Sequence, residues 1–325
     1  MANLLTKVQL GQTNLHVSKL CFGTLALGPY HSKLSIDEGS SLLVQAYNNG
    51  INFWDTAELY ETYEYIRSAN EKLGCPEDLI ISSRSFSRTY HEMAESIDNT
   101  LNSLDIKSIP IFGLHELSNI NDFNNSLGAF KALKEAKKNK LIQYIAITMH
   151  SVESVKIAAE QDWVDIVFPL YNKAGLGIIG GNTIQMSEAI EYAYNKGKGI
   201  YIMKVLAGGH LSSSPEESIK FALNNKAIHS IAIGMDNIDE MLMNLAIFTD
   251  DKVKINLIKP NVKAFKRIIN VDPWCEGCGK CIRICPNSAI TLQFSQATVD
   301  HNKCILCGYC ASACDMFCLK VVKQP

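Results

Sequence analysis

Short apolar runs alternate with longer amphipathic stretches through the first 250 residues of the chain. The runs Leu20–Phe22, Asn52–Trp54, Leu79–Ser82, Ile109–Leu114, Ile142–Ile147, Val164–Phe168, Ile200–Met203 and Ile228–Ile233 have the length and composition of strands. Between them apolar residues recur at three- and four-residue spacing, as in Met93, Ile97, Leu101 and Leu104, which places them on one helical face. The pattern predicts helices over Ile36–Asn48, Glu92–Leu104, Asp122–Lys138, Val152–Gln161, Met186–Asn195 and Glu216–Leu223, with Asp239–Phe248 after the last strand. Ser35, Ser151 and Ser214–Pro215 are candidate helix starts, because a serine oxygen can accept from amides that the first turn leaves unpaired. Eight strand–helix units over roughly 250 residues fit an α/β (β/α)8 TIM barrel better than an open doubly wound sheet. No strand is followed by the GxGxxG turn of a dinucleotide-binding sheet. Val8–Leu10 and His16–Val17, on either side of Gly11–Asn14, read as a hairpin that caps the bottom of the barrel.

Composition narrows the class. The chain has 325 residues, 31 basic and 33 acidic, and is 47% hydrophobic, as expected of an ordinary globular protein. A formal charge of −2 gives no electrostatic footprint for nucleic acid or an anionic membrane. No apolar run approaches the ~18 residues that span a bilayer. The start, MANLLTKVQLGQ, lacks the apolar core of a signal peptide.

The cysteines carry the sharpest chemistry. Nine of the 11 lie beyond residue 274, which argues against a disulfide framework for the whole chain. They read Cys275-x2-Cys278-x2-Cys281-x3-Cys285-Pro286 and then, 29 residues on, Cys304-x2-Cys307-x2-Cys310-x3-Cys314. A CxxCxxC loop wraps three thiolates around one small centre, and the fourth cysteine points to the neighbouring site. Cluster one, a [4Fe–4S] cubane, would take Cys275, Cys278, Cys281 and Cys314. Cluster two would take Cys304, Cys307, Cys310 and Cys285. Two zinc knuckles are the alternative, but the spacing is denser than their separated CxxC pairs. The region resembles a bacterial-type two-cluster ferredoxin, with two departures. Asp315 stands where that pattern has a proline, and Cys318 stands at the small-residue position that Ala289 fills in the first repeat. Cys318, Cys21 and Cys75 read as buried free thiols.

In a (β/α)8 barrel, chemistry belongs at the C-terminal ends of the strands. Those ends offer Phe22-Gly23-Thr24, Asp55 with Tyr60, Arg84, His115, Thr148–His150, Tyr171–Asn172, Lys204 and Gly234–Asn237. The segments NFWDTAELY, GLHEL, MKVLAGGHL and IGMDNIDEMLMNL, with the leader LGQTNLHVSKLCFGT, resemble the aldo/keto reductase family. The resemblance runs from about residue 8 to 250, and barrel plus ferredoxin resembles the iron–sulfur branch of that family. It implies a catalytic tetrad of Asp, Tyr, Lys and His. Asp55, Tyr60 and His115 fall on three of these positions, and Arg84 falls on the lysine. Tyr60 would be the general acid, with His115 polarising the substrate carbonyl. An ordinary tyrosine titrates near ~10 and needs a nearby cation to exchange a proton usefully. Arginine keeps that charge but cannot pass on a proton.

The same resemblance implies nucleotide contacts, and here the chain departs further. Thr148, Met149 and His150 stand in place of the Ser–Asn pair, and Phe168 in place of a carboxamide-binding glutamine, while Tyr171–Asn172 matches. Thr148, His150, Asn172, Lys204, Gly234 and Asn237 are the candidate cofactor contacts. Between Lys226 and Lys252 there is no Lys or Arg, and Asp236, Asp239 and Glu240 are acidic. A 2′-phosphate would meet repulsion there, so NADP(H) is disfavoured while NAD(H) stays open. No flavin motif is visible, although coupling hydride chemistry to one-electron clusters ordinarily needs a two-electron adaptor.

These readings lead to an oxidoreductase acting on a small carbonyl or alcohol substrate, with two clusters relaying electrons and an external ferredoxin or flavoprotein as redox partner. The alternative is an electron carrier whose barrel has lost hydride transfer. Residues 1–250 form the expected barrel, 251–270 a partly helical linker and 271–325 the cluster domain. With no Gly/Ser tract in the linker, the cluster domain is expected to dock on the barrel. Exposed cubanes suit a reducing, low-oxygen cytoplasm.

Overall fold

The computed structural model describes residues 5–262 and 266–324. Eight parallel strands close into a barrel: β3 (Leu20–Gly23), β4 (Phe53–Asp55), β5 (Ile80–Ser85), β6 (Ile109–Leu114), β7 (Ile142–Met149), β8 (Ile166–Pro169), β9 (Gly199–Ile202) and β10 (Ser230–Gly234), the last pairing with the first. They are preceded by a hairpin of β1 (Lys7–Gln9) and β2 (His16–Ser18). Around the barrel run α1 (Ile36–Asn48), α2 (Tyr63–Lys72), α3 (Tyr90–Leu104), α4 (Ile120–Asn125), α5 (Leu127–Lys138), α6 (Val152–Ala159), α7 (Thr183–Asn195), α8 (Pro215–Leu223) and α9 (Ile238–Phe248). Among the described residues no helix is long and apolar enough to cross a membrane.

Local chemistry accounts for the element boundaries. Ser35 accepts from the Glu38 amide while the Glu38 carboxylate accepts from the Ser35 amide, which starts α1 with a reciprocal cap. Ser151 caps α6 through the Ser154 amide, whereas Ser214 makes no side-chain cap and α8 starts on Pro215 instead. The stretch expected as one helix over Asp122–Lys138 breaks at Ser126, whose hydroxyl donates to the Asp122 carbonyl at 2.7 Å. Such a side-chain bond competes with the helical ladder. Helix α2 was not anticipated: it buries only Tyr65, Ile66, Ala69 and Asn70, too weak a stripe to stand out from its polar neighbours.

The hairpin closes the bottom of the barrel, as expected. Leu10, Leu15 and Val17 pack in one buried cluster with Phe53, Ile80, Ile111, Ile166 and Tyr201 from the barrel interior. Gly11 sits at a φ of +59°, and a Cβ there would lie 2.3 Å from the Gly199 amide nitrogen, so the turn can press against β9 only with glycine. Cys75, read as a buried thiol, is exposed, while Cys21 and Cys318 are buried.

Beyond α10 (Lys252–Ile258) lies the cysteine-rich region, made of β11 (Lys266–Val271), α11 (Lys280–Ile284), β12 (Ile290–Gln293), β13 (Gln296–Val299), α12 (Tyr309–Ser312) and β14 (Leu319–Gln324). β11 pairs antiparallel with β14, so the sheet of this region begins inside the stretch read as linker. The two repeats show in the backbone. Gly279 before α11 and Gly308 before α12 both take positive φ, +74° and +81°, 29 residues apart. The region sits on the C-terminal mouth of the barrel. Ile305 is buried in the barrel's interior cluster, and a Cβ on Gly208 would lie 2.1 Å from the Ile305 carbonyl oxygen.

Candidate active site

Asp55 ends β4, Tyr60 follows on a single 3-10 turn, Arg84 lies near the end of β5, and His115 follows β6. All four are buried. Arg84 joins them: its Nη1 donates to Asp55 Oδ1 and to the Thr56 carbonyl, both at 2.7 Å, and its Nη2 donates to the Tyr60 hydroxyl at 2.8 Å. The guanidinium carbon lies 5.2 Å from the Tyr60 ring centre and 5.1 Å from that of Phe168. The two departures noted in the sequence, arginine for lysine and Phe168 for glutamine, are thus in contact. A planar guanidinium is well suited to lie against an aromatic face. Behind them Tyr201 donates to Asp55 Oδ1 at 3.1 Å and stacks on Phe168 at 3.7 Å. Sequence reading missed Tyr201, although it points inward in the alternation of β9.

Burial sets the protonation states. Burial pushes the Tyr60 hydroxyl up to about 12 even with the Arg84 charge drawing it down, so Tyr60 holds its proton at neutral pH. Burial likewise pushes the Asp55 carboxyl up, opposed by Arg84. Burial works against the Arg84 charge, but Asp55, then Tyr60 and Tyr201, outweigh it, and its pKa lies well above the usual arginine value. Burial, then Arg84 and His150, holds His115 well below the usual imidazole range, and the ring is neutral. Glu116, desolvated, is raised to about 8, and His150, desolvated, is lowered to about 3. Their 3.3 Å contact is therefore between neutral groups rather than an ion pair.

His115 is not open to the mouth. Its Nε2 shares a hydrogen bond of 2.8 Å with the hydroxyl of Tyr309, which comes from α12 of the cysteine-rich region. Phe86 stacks on the His115 ring at 4.0 Å and meets the Tyr309 ring edge-on at 5.4 Å, fixing both.

A cavity of about 230 Å³ extends from Asp55, Tyr60 and Arg84 past Phe168 toward β9, β10 and β11. Of the six candidate cofactor contacts, Lys204 and Gly234 line it. The other four are engaged elsewhere. The Thr148 hydroxyl accepts from the Glu116 amide at 2.8 Å, and His150 is fully buried beside Glu116. Asn172 closes its own loop through both Leu176 backbone groups, and Asn237 caps α9 by accepting from the Glu240 amide. The acidic loop after β10 does meet a basic group: Arg267 Nη2, from β11, lies 2.8 Å from Asp236 Oδ2 and lines the same cavity. A count of charges within the loop's own sequence could not find it.

In the cysteine-rich region, no three His, Cys, Asp or Glu side chains among the described residues converge as a site for a single metal ion. Cys285, Cys304, Cys307 and Cys310 instead line one small cavity of about 20 Å³, walled by Ile269, Ile290 and Ile305. Cys281 has Cys275, Cys278 and Cys314 among its electrostatic neighbours. Backbone amides donate to three of the sulfurs: Ala289 to Cys285 at 3.3 Å, Ala297 to Cys275 at 3.5 Å and Cys318 to Cys314 at 3.3 Å. Amides aimed at sulfur stabilise thiolates, the form that ligates iron.

Comparison with known proteins agrees with this architecture. The aldo/keto reductase family model matches residues 19–227, and a 4Fe-4S dicluster domain matches 274–318. L-galactose dehydrogenase of Arabidopsis thaliana is 22% identical over 292 residues, covering 76% of this chain and 90% of that protein. A Pseudomonas aeruginosa protein placed among the aldo-keto reductases superposes with a TM-score of 0.66 at 23% identity, covering 77% of this chain and 97% of the other. The holo form of an aldo-keto reductase from Bacillus halodurans gives a TM-score of 0.64 at 18% identity, covering 80% and 97%. The chain therefore belongs to the aldo/keto reductase family, as an oxidoreductase of that type that carries a 4Fe-4S ferredoxin-like domain after its barrel.

Proposed function

We propose that the barrel mouth interconverts a small carbonyl compound and its alcohol, with Tyr60 handling the proton at oxygen, and that two [4Fe–4S] clusters relay electrons. The bridge that Arg84 makes between Asp55 and Tyr60 carries this reading. In the reducing direction the protonated Tyr60 hydroxyl donates to the substrate oxygen as charge develops on it. Arg84, held by Asp55, stabilises the phenolate left behind. Because arginine cannot relay a proton, Tyr60 is reprotonated from the cavity side.

Cys275, Cys278, Cys281 and Cys314 would hold cluster one, and Cys285, Cys304, Cys307 and Cys310 cluster two. The cavity lined by the second set and the amides aimed at sulfur support this assignment. Bound there, the clusters supply one-electron transfer. The carboxamide contacts of a nicotinamide fit less well, since Thr148 and Asn172 are spent on backbone groups and Phe168 presents only a ring. Lys204, Gly234 and Arg267 remain in the cavity for an anionic nucleotide. An external ferredoxin or flavoprotein is the other electron source, and a reducing cytoplasm the setting such clusters need.

Anaerobic turnover with NADH, NADPH or dithionite-reduced ferredoxin tests the reading. Hydride transfer is abandoned if neither nucleotide binds nor supports reduction. Purified protein with zinc and no acid-labile sulfide would remove the clusters. The Tyr309 hydroxyl on His115 favours a second reading, in which the docked domain has closed the carbonyl site and the protein only carries electrons. In that case Tyr60→Phe leaves electron transfer to the partner unchanged.

A further inference from the structure

The two cysteine sets stand in different surroundings. Both sets hold buried cysteines, Cys281 and Cys314 in the first and Cys310 in the second, but it is the segment from Cys304 to Cys310 that lies along the barrel mouth. The mouth reaches that segment at three points. Ile305 enters the barrel's interior cluster. His210 Nε2 lies 2.8 Å from the Cys304 carbonyl oxygen. The Tyr309 hydroxyl, on the residue between Cys307 and Cys310 in sequence after Gly308, meets His115 Nε2 at 2.8 Å. Tyr60, Tyr309 and Cys307 also belong to one apolar cluster, so the proton donor of the proposed reaction packs near a cluster-two ligand. A fourth link is the cavity itself. Lys204, at a φ of +61°, lines the active-site cavity together with Leu306, the residue before Cys307. Among the described residues Cys307 packs against both the interior cluster and the Tyr60 cluster, and no cysteine of the first set packs against either.

We propose that cluster two is the one in electronic contact with the barrel site, with Lys204 setting its potential and the Tyr309–His115 hydrogen bond joining it to the catalytic groups. The inference rests on the iron–sulfur reading above. Its physical basis is that reduction adds one negative charge to a cluster. A cation at the cavity wall beside the cluster-two loop stabilises the reduced state and raises the potential. Tyr309 acts as a positioning residue: Phe86 holds both its ring and that of His115, so cluster two and His115 share one rigid contact.

The test is an anaerobic redox titration of the full-length, cluster-loaded protein, followed by electron paramagnetic resonance. Cys278→Ser assigns the signals, because it perturbs cluster one. Lys204→Met is expected to lower the reduced-to-oxidised ratio of cluster two about tenfold at fixed ambient potential, a shift of about 59 mV for one electron. Cluster one stays where it was, and Lys204→Arg restores cluster two. Lys204→Gln serves if Lys204→Met does not fold. Tyr309→Phe and His115→Gln are each expected to change the cluster-two line shape alone, with the double variant showing no further change. A shift confined to cluster one, no shift in either, or independent effects of Tyr309→Phe and His115→Gln would overturn the inference. Protein without iron and sulfide would instead overturn the reading beneath it.

Discussion

The core of the barrel is built from side chains such as Phe22, Trp54, Phe112, Phe130 and Ile147, all fully or almost fully withdrawn from water. In the cysteine-rich region, by contrast, Cys281, Cys310, Cys314 and Cys318 make up four of the nine residues buried in its core. The first kind of core stabilises by removing apolar area from water, roughly 25 cal/mol per Å². The second has too little such area for a region of about 55 residues, and a small domain of that kind commonly depends on its metal. One polypeptide therefore holds a scaffold with a large apolar core and a region expected to depend on its ligands, and the proposed chemistry lies where they meet.

The largest test of that contrast is cluster removal. Chelation with oxidation is expected to abolish hydrogen-exchange protection in β11 and β14 while β6 and β7 keep theirs. Retained protection in β11 would show that the region folds without its clusters. Next in size is Arg84→Ala. It should reduce kcat/KM by about 10²–10⁴, since it disables the general acid. It should also destabilise the barrel by about 3–5 kcal/mol, because Asp55 is left buried without its counter-ion. Steady-state kinetics and denaturant unfolding read the two effects separately, and wild-type rates would move the proton donor elsewhere.

Ile305→Ala probes the joint itself. A cost of about 2–5 kcal/mol is expected, appearing as separate melting of the two regions rather than a lower common transition. A single unchanged transition would mean that His210 and Tyr309 suffice for docking. The smallest effect is a pH dependence. The folded pKa of Glu116, about 8, lies above its ordinary value, so its contribution is full below about 4.5 and is lost progressively as pH rises toward 8. Glu116→Gln lacks this loss, so its stability relative to wild type should rise over that window and level off above it. A constant difference across the window would place Glu116 ionised in the folded protein.

Much of the architecture could be read along the chain. β6 and α1 have the bounds that periodicity assigns them, because the Ile109–Leu114 run is buried and Ser35 and Glu38 form a local cap. The cysteine spacing was equally legible, since a loop ligand set is local by nature. Helix α2 was hidden, because its buried face holds a single large aliphatic residue, Ile66, beside Tyr65, Ala69 and Asn70. In the site, Asp55, Tyr60, Arg84 and His115 could be located from their positions at strand ends. Yet Thr148, Asn172 and Asn237 turned out to satisfy backbone groups, a use that competes with ligand binding and leaves no mark on residue type.

By itself the sequence determined the eight strand–helix units, the two cysteine repeats and the residues offered at the mouth. Each of these depends on side-chain periodicity or on spacing within a short loop. Only the tertiary structure decided that Phe168 faces Arg84, that Arg267 meets the acidic loop after β10, and that Tyr309 holds His115. Those pairs are separated by 84, 31 and 194 residues. No local rule links such partners; closure of the barrel and docking of the second core bring them together.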